Sequence, residues 1–214
     1  MDYENKPGDY YSNVRKEMLQ YLPPDARTII DIGCGSGAFG KAILEKQDAE
    51  VWGLELMPKE AKEAEKHLHK VFSGPVEDHL EALPKNYFDV IYLNDVLEHL
   101  ADPYMVLKSL KNNLKPEGVV ISSIPNIRYH NVLVKLLVNK DWQYEDFGVM
   151  DHTHLRFFTG KSIKRMYENL GYNIVLHEGI NKSRSLKAYL YNVPFLFTQL
   201  DIRFPQYATI AKKE

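Results

Sequence analysis

The chain has 214 residues, of which 44% are hydrophobic and 26% charged, and its formal net charge is −2. This composition is typical of a globular protein that can bury a sizeable core, and the length favours one domain. The near-neutral charge, with no block of basic residues, gives no support to a nucleic-acid partner. The polar start and the lack of an apolar run of roughly 18 residues predict no signal peptide and no membrane span, and hence a cytoplasmic protein.

Strands and helices are predicted to alternate through the first half of the chain. A helix at 9–22 ends at the Pro23-Pro24 pair. Strands are predicted at 27–32, 50–54, 71–73, 88–93 and 119–124, with helices at 38–46, 58–69 and 102–113 and a turn at 114–118. This alternation predicts a parallel, doubly wound sheet with right-handed crossovers. Ligands of such sheets lie outside the carboxyl ends of the strands, so we expect functional residues just after strands one, two, four and five.

The last third of the chain follows a different pattern. Helices are predicted at 127–140 and 160–170, the second ending at Gly171, and strands at 172–177 and 207–211. Residues 185–205 are rich in Tyr, Phe and Leu. They are interpreted as a helix that covers the sheet, or alternatively as a lid or dimer surface that shelters a hydrophobic acceptor.

The stretch DIGCGSGAFG, residues 31–40, is a glycine loop between the first strand and the first crossover helix. Its glycines fit both the G-x-G-x-x-G spacing of dinucleotide sites and the G-x-G-x-G spacing of methyl-donor sites. Glu55, at the end of the second strand, suits the ribose of NAD or of an adenosyl group equally well. Asp31 favours the methyl donor over the dinucleotide. A carboxylate two residues before the first glycine would repel a pyrophosphate but attract an ammonium and a sulfonium.

The single cysteine, Cys34, lies within this glycine loop. One cysteine cannot form an internal disulfide, and this usage fits a reducing compartment. Because no basic partner is nearby in the sequence, Cys34 is interpreted as a small residue that packs well rather than as a nucleophile.

Four segments within residues 27–126 together resemble the class I S-adenosylmethionine-dependent methyltransferases. They are IIDIGCGSGAFGKAI, VWGLELMP, FDVIYLNDVLEHLADP and LKNNLKPEGVVISSIPN. The resemblance implies an α/β, Rossmann-like sandwich with a mostly parallel seven-stranded sheet, whose antiparallel last strand lies between strands five and six. It also implies one methyltransferase domain over 1–214, with an N-terminal helix or cap at 1–24, a cofactor-binding half at 25–126 and an acceptor-side half at 127–214.

The same resemblance implies a set of residues that bind S-adenosylmethionine. Asp31 and the loop residues Gly33, Cys34, Gly35 and Gly37 would lie at its methionine end, and Glu55 would hold the ribose diol. Leu56 and Met57 would flank the adenine, and Val76 or Glu77 would replace an acid that the family often has after the third strand. Asn94 and Asp95 would border the methionine moiety, with Tyr11 and Arg15 as candidate partners of its carboxylate.

A second group of polar residues follows the fourth strand, in the pattern Asp95-x-x-Glu98-His99. These residues share one face of a helical turn, where two carboxylates and an imidazole can bind a divalent cation such as Mg²⁺ or carry out acid–base chemistry. The later segment MDHTHLRFFTGKSI resembles the tail of small-RNA 2′-O-methyltransferases, which implies His154 as a further ligand. Quinone-pathway O-methyltransferases carry a similar cluster. A catalytic base at His99 or His154 without metal, and a purely structural role, remain open alternatives.

The resemblance and these histidines predict an S-adenosylmethionine-dependent methyltransferase that acts on a small molecule. A hydroxyl acceptor must lose a proton, and His99, His130, His152 and His154 are expected on the acceptor side. Alternatives are a metal-dependent RNA ribose 2′-O-methyltransferase, an NAD(P)-dependent oxidoreductase and a cofactor-binding domain without catalysis. The acceptor and the oligomeric state are not predicted.

Overall fold

A computed structural model describes residues 14–213, whose seven strands form one sheet. The strands are β1 (Thr28–Ile32), β2 (Glu50–Glu55), β3 (Lys70–Ser73), β4 (Phe88–Asn94), β5 (Leu114–Pro125), β6 (Tyr172–Ile180) and β7 (Gln206–Lys213). Their order across the sheet is β3-β2-β1-β4-β5-β7-β6. The pairs from β3 to β5 are parallel, whereas β7 is antiparallel to both β5 and β6. The predicted fold class, with the last strand inserted between strands five and six, is therefore confirmed.

Short helices connect the strands. They are α1 (Ala38–Lys46), α2 (Pro58–Ala64), α3 (Val76–His79), α4 (Pro103–Leu110), α5 (His130–Leu137), α6 (Gly160–Asn169) and α7 (Lys187–Leu190). The start of α4 is fixed by Asp102, whose side chain accepts a hydrogen bond from the backbone N–H of Met105. Thr159 and Ser162 form a capping box at the start of α6.

The core lies on both faces of the sheet, because successive side chains of a strand point in opposite directions. Ile29 belongs to the cluster that also contains Met18 and Phe39, whereas Ile30 belongs to the cluster with Val106 and Ile163. Both isoleucines are completely buried. These two layers hold the carboxyl ends of β1, β2 and β4 at one edge of the sheet.

Several predicted element boundaries are wrong. The turn predicted at 114–118 belongs to β5, where Leu114 pairs with Phe88 before the register shifts. The helix predicted at 58–69 ends at Ala64. The helix predicted at 127–140 is α5, which begins at His130 and ends at Leu137. Of the helix predicted at 9–22, the described part forms a 3-10 helix over Lys16–Tyr21. These differences occur at element ends, where tertiary contacts outweigh local propensity.

The segment 185–205 is not one helix, so that prediction is wrong. It contains α7 and two 3-10 helices, Val193–Phe195 and Leu200–Arg203. The buried side chain of Asn192 bonds to the backbone of Ala188 and Gln199 and holds the segment in a compact loop. Separately, no helix among residues 14–213 is long and apolar enough to cross a membrane.

Candidate active site

A cavity of about 760 Å³ opens at the carboxyl ends of β1, β2, β4 and β5. This position is the one expected for ligands of a parallel α/β sheet. Most of the residues predicted to bind the cofactor line it. They are Arg15, Asp31, Gly33, Cys34, Gly35, Glu55, Leu56, Met57, Val76, Glu77, Asn94 and Asp95. Tyr11 lies outside the described residues.

The glycine loop is shaped by backbone conformations that favour glycine. Gly33 has a φ of +74°, and a Cβ atom there would lie 2.6 Å from Cγ2 of Val96. Gly37, with a φ of +82°, does not line the cavity, because it faces α2, where a Cβ atom would lie 3.1 Å from Cα of Ala64. Gly33 and Gly35 therefore lie at the cavity wall, whereas Gly37 allows α1 and α2 to approach each other.

Glu55 connects the glycine loop to the end of β2. Its two carboxylate oxygens accept hydrogen bonds from the backbone N–H groups of Gly35, at 2.8 Å, and Met57, at 2.9 Å. The side chain is almost completely buried, and this burial raises the pKa of Glu55 despite the two donors. The carboxylate thus orders two stretches of cavity wall at once.

Asp31 and Cys34 lie side by side at the base of the loop. Burial, and then the neighbouring charge of Glu55, raises the pKa of Asp31 to about 8. Burial also raises the pKa of the Cys34 thiol, whose sulfur packs against Gly53. A thiol with a raised pKa is a poor nucleophile, which agrees with the packing interpretation of Cys34.

Asp95 takes part in an ion pair rather than in the second polar group. Its carboxylate lies 3.0 Å from the Arg15 guanidinium and accepts hydrogen bonds from Ser123 and from Gln206. Arg15 in turn donates to the side-chain oxygens of Ser123 and Gln206. Asp95 also has a φ of +54°. The predicted metal set of Asp95, Glu98, His99 and His154 is therefore not assembled, because Arg15 satisfies the Asp95 carboxylate.

Glu98, His99 and His154 come together at the cavity wall, with one ligand atom of each within 4.8 Å of the others. The two imidazole rings lie 4.7 Å apart between centroids, and Nε2 of His154 lies 4.0 Å from Oε1 of Glu98. Neither carboxylate oxygen of Glu98 has a hydrogen-bond donor among the described residues. Burial, followed by the charge of Asp95, raises the pKa of Glu98 well above its ordinary value.

Backbone carbonyl groups orient both imidazole rings. Nδ1 of His99 lies 3.2 Å from the carbonyl oxygen of Thr153, and Nδ1 of His154 lies 3.1 Å from that of Val149. A carbonyl oxygen can only accept, so a neutral imidazole at either position carries its proton on Nδ1 and its lone pair on Nε2. This is the arrangement in which an imidazole binds a metal or accepts a proton.

The loop that carries His154 is fastened to the residues after β4. The backbone carbonyl of Glu98 accepts from the N–H groups of Leu155 and Arg156. Asp151 is buried and accepts from both the backbone and the hydroxyl of Thr153. These bonds hold Thr153, and therefore the His99 ring, in one position.

Two other histidines expected on the acceptor side do not line the cavity. His130 lies at the start of α5 with its Nε2 near the Ser183 hydroxyl, and His152 is exposed beside the backbone of Glu145. Sequence reasoning missed several cavity residues, among them Phe147, Leu155, Asn181 and Gln206. Leu155 lies within the segment MDHTHLRFFTGKSI, although no role was expected for it there. No motif marks the other three, because they lie in loops or at a strand end that the tertiary fold brings to the cavity.

The amide of Asn94 is a further polar group at the cavity. Both its Nδ2 and its Oδ1 are buried without a hydrogen-bond partner among the described residues. A buried amide without partners is costly, so this side chain is suited to a polar ligand in the cavity.

The strand order, the glycine loop and the acid at the end of β2 define a class I S-adenosylmethionine-dependent methyltransferase. A family model described as a methyltransferase domain matches residues 5–177, and the chain belongs to this family. It is accordingly an S-adenosylmethionine-dependent enzyme, which replaces the dinucleotide interpretation of the glycine loop.

Comparisons with individual proteins agree with this assignment. The ubiquinone biosynthesis O-methyltransferase of Chromobacterium violaceum is 25% identical over 200 residues, covering 89% of this chain and 84% of the relative. The enzyme of the same name from Neisseria meningitidis is 26% identical over 189 residues, covering 82% of this chain and 79% of the relative. An Archaeoglobus fulgidus SAM-dependent methyltransferase structure has a TM-score of 0.72 at 22% identity and 92% coverage of both chains. The structure of an S-adenosylmethionine-dependent methyltransferase from Mesorhizobium loti has a TM-score of 0.65 at 19% identity, covering 92% of this chain and 96% of that one. These structures share the fold.

Proposed function

We propose that this enzyme transfers a methyl group to a hydroxyl oxygen of a small molecule. The observation that carries the proposal is the buried Glu98 carboxyl facing His99 and His154, with no hydrogen-bond donor of its own among the described residues. A buried carboxylate without a donor is costly unless a cation or a polar substrate joins it. Two relatives are named ubiquinone biosynthesis O-methyltransferases, and the prefix O in that name denotes methylation of an oxygen atom. This name supports the same choice of acceptor.

We further propose that the three side chains hold a divalent cation. Their donor set of two imidazoles and one carboxylate suits a first-row ion such as Mn²⁺ or Zn²⁺ better than Mg²⁺, which prefers oxygen ligands. The Asp95 carboxylate, which would have favoured Mg²⁺, is paired with Arg15 instead. A cation bound here would lower the pKa of an acceptor hydroxyl and orient its oxygen.

The cofactor side of the cavity would position the methyl donor. Asp31, Asn94 and Glu55 all line the cavity. By the family resemblance, Asp31 and Asn94 would lie at the methionine end of the donor and Glu55 at its ribose. A sulfonium is already activated, so the main task of the protein is to align donor and acceptor, which supplies about 7–11 kcal/mol in favourable cases. In a reaction without metal, Nε2 of His99 would take the hydroxyl proton as the new oxygen–carbon bond forms and the sulfur–carbon bond breaks.

The experiment combines a binding measurement with an activity measurement. Titration calorimetry with MnCl₂ should show one site in the metal-free enzyme and none in Glu98→Gln. Transfer from S-adenosylmethionine carrying a ¹³C-labelled methyl group to a metabolite extract should give a product whose labelled methyl is assigned by NMR to an ether oxygen. Label on a carboxylate, a nitrogen or a carbon would contradict the hydroxyl acceptor. Full activity in EDTA, together with no calorimetric signal, would leave the histidine base as the mechanism.

The RNA alternative receives no specific support from the described residues. Ribose methylation within RNA normally requires clustered Lys or Arg for phosphate contacts, and the chain carries 27 basic against 29 acidic residues. Labelled RNA in the same assay, without labelled small molecules, would reverse the proposed substrate class.

A further inference from the structure

The connection between β6 and β7 begins and ends at the cavity. Asn181, at its start, and Pro205, at its end, both line the cavity wall. We call residues 181–205 the β6–β7 loop. The loop is therefore joined to the cavity wall at both of its ends, while residues 182–204 do not line the cavity.

The β6–β7 loop presents an apolar surface to the outside. Six of its large hydrophobic side chains are each more than half exposed: Leu186, Leu190, Val193, Phe195, Leu196 and Phe197. Scattered single hydrophobic residues on a surface are normal, but six within twelve residues are not. The sequence left open whether these residues cover the sheet or form a lid or dimer surface, and the structure turns their side chains outward.

The backbone of this loop is built to hold that orientation. Asn192 is completely buried, and its amide bonds to the carbonyl oxygens of Ala188 and Gln199 and to the N–H of Gln199. The polar residue thus points inward while its apolar neighbours point outward. Leu196 and Phe197 have φ values of +51° and +62°, which are strained for large side chains. Strained residues of this kind cluster at functional sites, and Leu196 is 83% exposed.

The charge of the loop identifies the surface that it fits. Lys182, Arg184 and Lys187 are all exposed, and no acidic residue occurs between Glu178 and Asp201. Exposed aliphatic and aromatic side chains beside uncompensated cations match the interface of an anionic lipid bilayer. A second copy of the chain fits less well, because a symmetric contact would bring two sets of three cations together.

We propose that the β6–β7 loop docks the enzyme on an anionic membrane surface, with Leu196 and Phe197 inserted at the interface and the three cations on lipid headgroups. The cavity opening is then held at the bilayer surface. The inference concerns binding only and does not depend on the acceptor or on a cation at Glu98.

Vesicle sedimentation of the full chain tests this proposal without any methyl donor or acceptor. The enzyme should sediment with vesicles of phosphatidylcholine mixed with phosphatidylglycerol, and roughly a hundredfold less well with phosphatidylcholine alone. Substituting Gln for Lys182, Arg184 and Lys187 together should abolish this preference.

The apolar contribution is tested with the pair Leu196→Asn and Phe197→Asn. Asparagine tolerates a positive φ, so this variant should melt no lower than the wild type while its vesicle binding falls roughly tenfold or more. Val175→Thr is the matched control, because it removes an apolar side chain, 56% exposed, from β6 outside the loop, and it should bind as the wild type does.

Three results would overturn the proposal. The first is a wild-type enzyme that stays in the supernatant with both kinds of vesicle, and the second is an asparagine variant that sediments as well as the wild type. The third is a concentration-dependent dimer in sedimentation equilibrium that the asparagine pair abolishes while no vesicle binding is seen, since the loop would then be a contact between copies.

Discussion

Nε2 of His154 lies 4.0 Å from Oε1 of Glu98, and both side chains are almost completely buried. The two residues come from different loops, one after β4 and one before α6. Their contact depends on the bonds that join the Glu98 carbonyl to Leu155 and Arg156.

The first prediction separates the two cavity histidines from an exposed one. His99→Ala and His154→Ala should lower the methyl-transfer rate by about 10²–10⁴-fold, because acceptor activation is lost. S-adenosylmethionine affinity, measured by calorimetry, should stay within about twofold, within the scatter of small surface effects. His152→Ala is the control and should keep full activity, since its ring lies outside the cavity. Equal losses in all three variants would show that the whole loop, not the cluster, matters.

The second prediction distinguishes the two carboxylates after β4. Asp95→Asn should keep Mn²⁺ binding but lower the free energy of unfolding by about 1–2 kcal/mol, because the pairing with Arg15 weakens. Glu98→Gln should abolish Mn²⁺ binding. Calorimetry measures Mn²⁺ binding to both metal-free variants, and urea unfolding measures their free energies of unfolding. Loss of binding in Asp95→Asn with the fold intact would restore Asp95 to the ligand set.

The third prediction concerns Glu55 and the methyl donor. Glu55→Gln keeps the shape but removes the charge and one acceptor oxygen, so S-adenosylmethionine affinity should fall by about 1.5–3 kcal/mol. The exposed Glu45→Gln is the control and should bind as the wild type does. Unchanged affinity in Glu55→Gln would mean that the ribose contact lies elsewhere.

The fourth prediction follows from the pKa of Asp31, which burial raises to about 8 from 3.8. A carboxyl with a raised pKa binds its proton more tightly in the folded chain than in the unfolded chain. Its contribution to stability is therefore full below about pH 4 and is lost as the pH rises towards 8. Relative to Asp31→Asn, which cannot ionise, the wild type should lose ~2–4 kcal/mol between about pH 5 and pH 8. Urea unfolding without cofactor measures the free energy of unfolding of both proteins at each pH. Curves of this free energy against pH that run parallel for the two proteins would refute the prediction.

The fifth prediction tests the close approach at Gly33. Gly33→Ala should destabilise the fold by about 2–4 kcal/mol, because the new Cβ atom would lie 2.6 Å from Val96. Adding Val96→Ala should recover part of that loss. Gly148→Ala shares the positive φ but meets nothing within 4 Å, so it should cost only about 1–2 kcal/mol. Thermal unfolding of these three variants measures the losses. No recovery in the double substitution would show that the contact is not the cause.

The first half of the chain could be predicted well because its signals are local. Ile29 to Ile32 forms a buried strand followed at once by glycines, and this pattern alone indicates a turn into a helix at a ligand site. The segment 185–205 could not be predicted in the same way. Its apolar residues match a buried helix in periodicity, but Asn192 and the strained Leu196 fold it into a loop that turns them outward.

The sheet, the glycine loop, Glu55 and the candidate pair of His99 and His154 could be predicted from the amino-acid order, because each rests on neighbours close in the chain or on a family pattern. The partners of the charged side chains depend on the tertiary fold. Asp95 and Glu98 are three residues apart, yet one meets Arg15 and Gln206, and the other meets two imidazoles. A carboxylate in a low-dielectric interior is controlled by the nearest opposite charge or donor, and that neighbour is set by the packing of distant segments.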